Sequence, residues 1–173
     1  LEFREVIAQS SNIGTTKIAQ KIGGAAVYDY AKAFGFGSVT SVGLPGEVEG
    51  VLKPVSTWSK TSIGAVPIGQ EVCVTTLQLA CAISAIANNG TYMKPYVVRA
   101  VIDKKGEVIK SFDPQSLRQV MTEETSKTMR DILAAVVESG TGKLAQSKLF
   151  KFAGKTGTGQ KIDPNGTYSH SKF

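Results

Sequence analysis

Apolar residues along the chain fall into runs whose spacing changes from helical to extended and back. Val27, Tyr30, Ala31 and Phe34 stand at i, i+3, i+4 and i+7, which is one face of an α-helix. The pattern begins near Thr15 and breaks at Gly23-Gly24, so residues 15–34 are expected as two short helices. Residues 35–60 are rich in Gly, Pro and Ser and keep no period, which predicts a long ordered loop or a run of short turns. At Thr75 the hydroxyl and the Gln78 side chain can satisfy free N–H groups reciprocally; this capping box starts the helix LQLACAISAIA, and Asn88-Asn89-Gly90 stops it. Two β-branched runs, YVVRAVI and EVIKSF, flank Asp103 to Gly106 and read as a hairpin. Thr122 then caps another helix, with Glu123 and Glu124 at its positive end. Met129, Ile132, Leu133, Val136 and Val137 form the apolar stripe of that helix, and Gly140 terminates it. Helices, loop, helix, hairpin, helix and strand in that order give an α+β pattern, with no internal repeat.

Composition narrows the picture without deciding it. The 173 residues are 42% hydrophobic and 20% charged, ordinary for a soluble domain with a core. The longest apolar run, VCVTTLQLACAISAIA, is interrupted by polar residues and falls short of the ~20 needed to span a bilayer. The chain opens on LEFREVIAQ, without an initiator Met or a signal pattern, and is read as a fragment of something longer. Cys73 and Cys81 have no neighbouring Cys or His cluster, so they are expected as small buried hydrophobes, with no metal, disulfide or cofactor implied.

Candidate chemistry concentrates in FAGKTGTGQ, Phe152 to Gln160. Gly154-Lys155-Thr156 looks like the end of a phosphate-binding loop, but that motif needs a glycine at position 149, which is Leu. Gly142-Lys143 fails similarly, with Val137 and Leu144 at the wrong places. Without phosphate, the stretch reads as a glycine-rich edge strand leading into the turn DPNG. Three glycines would weaken a strand interior, and glycine there often marks close approach of a ligand. Lys155, Thr156 and Thr158 set a cation and hydroxyls beside that bare backbone, which suits pairing with an extended peptide and holding its carboxylate. Between Ser139 and Ile162 stand Lys143, Lys148, Lys151, Lys155 and Lys161 with no Asp or Glu. The overall net charge is +6, but the lysines form no dense stripe with aromatics, so a small anion fits this field better than nucleic acid.

A second constellation lies at AQSSNIG. Ser10 and Asn12 stand two apart, sharing a face in an extended or turn segment, or else the group simply caps the following helix.

Taken together, Ser10-Ser11-Asn12 and Lys155-Thr156-Gly157-Thr158 resemble the Ser-x-Asn and Lys-Thr-Gly motifs of penicillin-binding proteins and serine β-lactamases. GLPGEVEGVL, PIGQEVCVTTLQLACAISAIANNGTYMKPYVV and VVESGTGKLA further resemble the class B penicillin-binding proteins, the D,D-transpeptidases of septal and elongation-phase wall synthesis. The resemblance covers nearly the whole chain, in the family's order. It implies the penicillin-binding-protein/serine β-lactamase-like fold, an antiparallel sheet flanked by helices, with residues 1–173 as the later part of a single transpeptidase domain.

The resemblance also implies roles. Ser10 would relay a proton, Asn12 would bind the donor's amide, and Lys155 would raise the local potential and support the relay. Thr156 and Thr158 would bind the terminal carboxylate, Thr158 N–H would join the oxyanion hole, and Gly157 would let the substrate backbone come close. Partners would be peptidoglycan stem peptides, β-lactams and a membrane glycosyltransferase, and the location the extracytoplasmic face of the bacterial membrane, anchored by a segment outside this chain. One departure matters: the nucleophile motif Ser-x-x-Lys should precede Ser10, yet occurs only at Ser169 to Lys172, where it is rejected as a nucleophile; His170 is read as a loop residue. A fragment lacking its nucleophile is therefore expected. The alternatives are a non-catalytic binding member of the family, or a β-lactamase or β-lactam sensor, which should not share GLPGE or GTGKLA.

Overall fold

The computed structural model describes residues 1–159, Pro164 and Ser169. Six α-helices and six short strands are found among them. They run α1 (Phe3–Ala8), α2 (Asn12–Ile22), α3 (Gly24–Ala33), β1 (Val51–Leu52), α4 (Ser62–Ala65), β2 (Val72–Cys73), α5 (Thr76–Ala87), β3 (Thr91–Met93), β4 (Ala100–Ile102), β5 (Val108–Ser111), β6 (Ser116–Gln119) and α6 (Glu123–Glu138). Short 3-10 turns occupy Val55–Thr57, Val66–Ile68 and Lys143–Ala145. The pairs β3–β6 and β4–β5 are antiparallel. The chain divides into two compact units, one of residues 1–29, 52–73 and 128–173, the other of residues 30–51 and 74–127.

In the first unit, Gly14 on α2 lies against the Val6 methyls of α1, where a Cβ would come within 2.7 Å of them. Thr16 Oγ1 donates to Gly64 O at 3.2 Å, tying α2 to α4. The sequence predicts an apolar stripe on α6; the structure buries every residue from Ile132 to Val137, with Val136 fully enclosed. Ala134 and Ala135 make this possible, because small side chains allow close approach on the faces between the large ones.

After α6 the chain turns sharply. Gly140 N donates to Ala135 O and Val136 O, and Gly142 N returns to Val136 O. A Cβ on Gly140 would collide with the carbonyl of Ala8, so glycine is required by contact here rather than by dihedral angle. Thr141 N donates to that same Ala8 carbonyl at 3.1 Å.

The second unit is organised around α5. The Thr75–Gln78 capping box forms as the sequence indicates, with Thr75 N donating to Gln78 Oε1 at 2.8 Å and Gln78 N to Thr75 Oγ1 at 3.1 Å. Gln78 does more than cap: fully buried, it donates from Nε2 to Ser38 O and Glu49 O, pinning the long loop at two points. Within that loop the Glu47 carboxylate gathers Thr40 N, Thr40 Oγ1, Ser41 N and Gly43 N, which explains how GLPGE keeps a shape without regular structure. Desolvation pushes the Glu47 pKa up, but these hydrogen bonds outweigh it and hold the group below its ordinary value.

Cys81, Ala85, Tyr92 and Val120 form this unit's core. Cys81 is thus the small buried residue expected, whereas Cys73 is exposed at the end of its two-residue strand, so that half of the expectation is corrected. Arg118 lies over the Tyr92 ring, 4.2 Å from its centroid, and donates to Ala33 O at 2.7 Å. The expected hairpin is present as β4–β5, with Asp103 Oδ1 accepting from Lys105 N and Glu107 N. The β3–β6 ladder was not signalled by the sequence.

Candidate active site

The two motifs from opposite ends of the chain meet in the first unit. Lys155 Nζ donates to Ser10 Oγ at 2.6 Å and to Thr156 O at 2.9 Å. Both residues line a cavity of ≈ 990 Å³ together with Asn12, Thr156, Gly157 and Thr158. The six residues of the two motifs, Ser10, Asn12, Lys155, Thr156, Gly157 and Thr158, are therefore in one place.

How Ser10 gets there is a matter of helix termination. Helix α1 ends in a Schellman arrangement, with Ser11 N donating to Val6 O at 2.9 Å and Ser10 N to Ile7 O at 3.1 Å. The residue between Gln9 and Ser11 must then be left-handed, the position glycine usually fills. Here it is Ser10, with φ 54°. A non-glycine residue in this region costs roughly 1–2 kcal/mol. The hydroxyl it supplies is the one Lys155 reaches. The helix-cap reading belongs to the middle residue: Ser11 Oγ accepts from Gly14 N at 3.1 Å and starts α2, which places Asn12 at its first helical position.

The Lys155 stretch departs from expectation. Residues 151–159 adopt no regular secondary structure, because among the described residues no strand runs beside them. Gly154 N donates to Leu133 O at 3.1 Å, anchoring the segment to α6. Gln160 and the turn DPNG, apart from Pro164, lie outside the described residues, as do Lys161, His170, Ser171 and Lys172. Ser169 is buried, 1% exposed, a poor position for an attacking hydroxyl.

Gly154, Gly157 and Gly159 have no left-handed φ, and a Cβ on any of them would meet nothing within 4 Å. Neither backbone conformation nor internal crowding calls for glycine at these positions. What remains is approach from outside, which a bare backbone edge permits.

Sequence reasoning missed two residues. Thr141 Oγ1 and Thr156 Oγ1 share a hydrogen bond of 2.7 Å, so the turn that holds Ala8 also holds the threonine beside Lys155. Its signal lay in VVESGTGKLA, read as a family mark and not as a contact. Glu71, left-handed at φ 57°, lines the same cavity; it lies in PIGQEVCV, likewise read as a family mark and not as a site residue.

Electrostatically the five-lysine interval is less uniform than expected, since Lys151 pairs with Glu138 at 3.3 Å. Lys155 is distinguished from the others by its surroundings: desolvation lowers its ammonium below the ordinary lysine value of 10.5. The Lys155 cation with the Ser10, Thr156 and Thr158 hydroxyls around one cavity can hold an anion and pass a proton between Ser10 and Lys155. Among the described residues no cluster of His, Cys, Asp and Glu could hold a metal ion.

The family described as penicillin binding protein transpeptidase domain matches residues 1–173. Penicillin-binding protein PbpB of Mycolicibacterium smegmatis is 38% identical over 166 residues, which are 92% of this chain and 26% of that protein. Stage V sporulation protein D of Bacillus subtilis is 37% identical over 161 residues, 92% of this chain and 25% of that protein. Penicillin binding protein 3 of Mycobacterium tuberculosis, solved in complex with ampicillin, superposes with a TM-score of 0.90 at 36% identity, over 97% of this chain and 39% of that one. The chain thus spans about a quarter of the length of the curated relatives it matches.

Proposed function

The chain belongs to the penicillin-binding protein transpeptidase-domain family, and on that premise we propose that the protein carrying it is a class B peptidoglycan D,D-transpeptidase, which cross-links stem peptides by serine acyl transfer and is acylated by β-lactams. The observation that carries the reading is the 2.6 Å hydrogen bond from Lys155 to Ser10, which joins the second and third motifs of such a site.

The reaction divides into two displacements. A serine supplied by residues outside this chain attacks the penultimate D-Ala carbonyl and gives its proton to the Ser10–Lys155 relay, the C–N bond breaks, and D-Ala departs with the proton that Ser10 delivers. An amine from a second stem then attacks the ester, loses its proton to the same relay and releases the serine as the cross-link forms. Asn12 orients the donor's amide. Thr156 and Thr158 bind the terminal carboxylate, Gly157 admits the donor backbone, and Lys155 supplies the potential that holds the anion. Thr158 N–H donates to the oxyanion; loss of one such donor typically costs about 10²–10³ in rate.

Names among the matches support the substrate class: probable peptidoglycan D,D-transpeptidase PenA of Neisseria gonorrhoeae and peptidoglycan D,D-transpeptidase MrdA of Acinetobacter baumannii. The protein would work on the extracytoplasmic face of the membrane, with its anchor elsewhere and a membrane glycosyltransferase as partner; no described helix is long and apolar enough to cross a membrane.

The test is covalent labelling with a fluorescent penicillin. The protein at its natural length is expected to be labelled on the serine of a Ser-x-x-Lys preceding Ser10, and the 173 residues alone are expected to remain unlabelled. No label on the full-length protein would favour a non-catalytic binding member. Label on Ser169 or Ser171, mapped by mass spectrometry, would overturn the assignment of roles.

A further inference from the structure

Two charged residues line the cavity that holds the Ser10–Lys155 pair: Lys155 itself and Glu71. They are not joined, since the ion pair found among the described residues is Lys151–Glu138. The cavity therefore presents a cation and an anion as separate receptors.

Glu71 is held in place deliberately. Its backbone is left-handed at φ 57°, an uncommon state for a long side chain. Ser62, 2% exposed, donates from Oγ to Glu71 Oε2 at 2.6 Å. Ser59 N donates to Ser62 Oγ at 3.0 Å, which fixes the serine as the relay between loop and carboxylate. Oε1 has no hydrogen-bond partner among the described residues and stays free to accept. Glu71 is an exposed residue at the rim of the cavity, and a carboxylate oriented there by a buried hydroxyl, with one oxygen open, matches a cationic donor.

We propose that Glu71 is a specificity-determining residue that receives an ammonium group of the ligand, so that the cavity selects zwitterionic ligands, their carboxylate toward Lys155, Thr156 and Thr158 and their ammonium toward Glu71. This rests on the carboxylate-binding reading given above and adds the opposite charge to it. An amine-bearing peptide, or a β-lactam with an amine on its acyl side chain, has this chemistry.

Ampicillin and benzylpenicillin differ by one ammonium group and probe the proposal directly. In the full-length protein, Glu71→Gln keeps an oxygen for Ser62 and removes the charge. The ratio of ampicillin to benzylpenicillin acylation rates is expected to fall about two- to fivefold, in the range of a solvent-exposed ion pair. Ser62→Ala keeps the charge and frees the side chain, so the ratio should fall less than in Glu71→Gln. A ratio unchanged by Glu71→Gln overturns the proposal. Should neither compound acylate the wild-type protein, the transpeptidase reading fails, and the ratio of equilibrium binding constants from NMR titration decides the Glu71 proposal by the same criterion.

Discussion

Lys155 and Ser10, 145 residues apart in the chain, meet at 2.6 Å, and the serine does so from a left-handed backbone that would suit glycine better. Local strain of this kind persists where a side chain is needed. Ser10→Gly is therefore expected to raise the stability of the fold by about 1 kcal/mol while removing the hydroxyl relay. Thermal unfolding and penicillin acylation, measured on the same full-length variant, should move in opposite directions. Loss of both would show that the Ser10 hydroxyl supports the fold itself.

Lys155 and Lys148 separate a placed charge from a diffuse one. Lys155→Ala should lower acylation strongly and leave the fold intact, because in the proposed function its ammonium acts on a carboxylate in a partly dehydrated groove. Lys148→Ala should change little. Desolvation lowers the Lys155 pKa, so it loses its proton before an ordinary lysine, and anion binding should weaken with rising pH at values below 10.5. The sign for stability is the reverse: between its lowered folded pKa and 10.5 the unfolded chain binds the extra proton, so folding gains as pH rises through that window. A pH series of acylation and of melting, with Lys155→Met as reference, checks both directions.

Much of this was legible beforehand. Thr75 and Gln78 advertise a helix start because the chemistry is local, four residues deep, and the structure closes both of its bonds. Asp103 to Gly106 advertises a turn for the same reason. The β3–β6 ladder pairs Thr91 with Gln119 across 28 residues, and three-residue strands leave no period to read. The site residues were legible as motifs, but not the means of holding them: a serine in a glycine position and a threonine in a turn carry no pattern along the sequence.

Thr158→Val preserves the β-branched shape and the backbone N–H and removes one hydroxyl. A hydrogen bond to a charged group contributes about 1.5–3 kcal/mol, so acylation efficiency in the full-length protein should fall about ten- to a hundredfold. A donor with its carboxylate replaced by a neutral amide should lose much less. Equal losses for the two donors would remove Thr158 from the carboxylate site.

Gln78 offers a test of stability away from the chemistry. Gln78→Leu leaves Ser38 O, Glu49 O and Thr75 N without their partner in a fully buried position. With about 1–3 kcal/mol for each buried group left unsatisfied, a loss of several kcal/mol is expected by denaturant titration. A loss below about 1 kcal/mol would mean the long loop is held by other contacts.

The turn at Gly140 and Thr141 bears on how such a site can assemble at all. Closing a loop costs entropy that grows by about 0.6 kcal/mol per doubling of its length, which makes a direct Ser10–Lys155 encounter expensive for a single exposed hydrogen bond. Thr141 stands only 15 residues from Thr156 and already rests on Ala8. Once the Ala8–Gly140 contact has formed, bringing Thr156 home closes a loop about three doublings shorter, a saving of about 2 kcal/mol. The distant closure is thereby borne by packed backbone, and the exposed edge at Lys155 and Thr156 is left with only a local step to close.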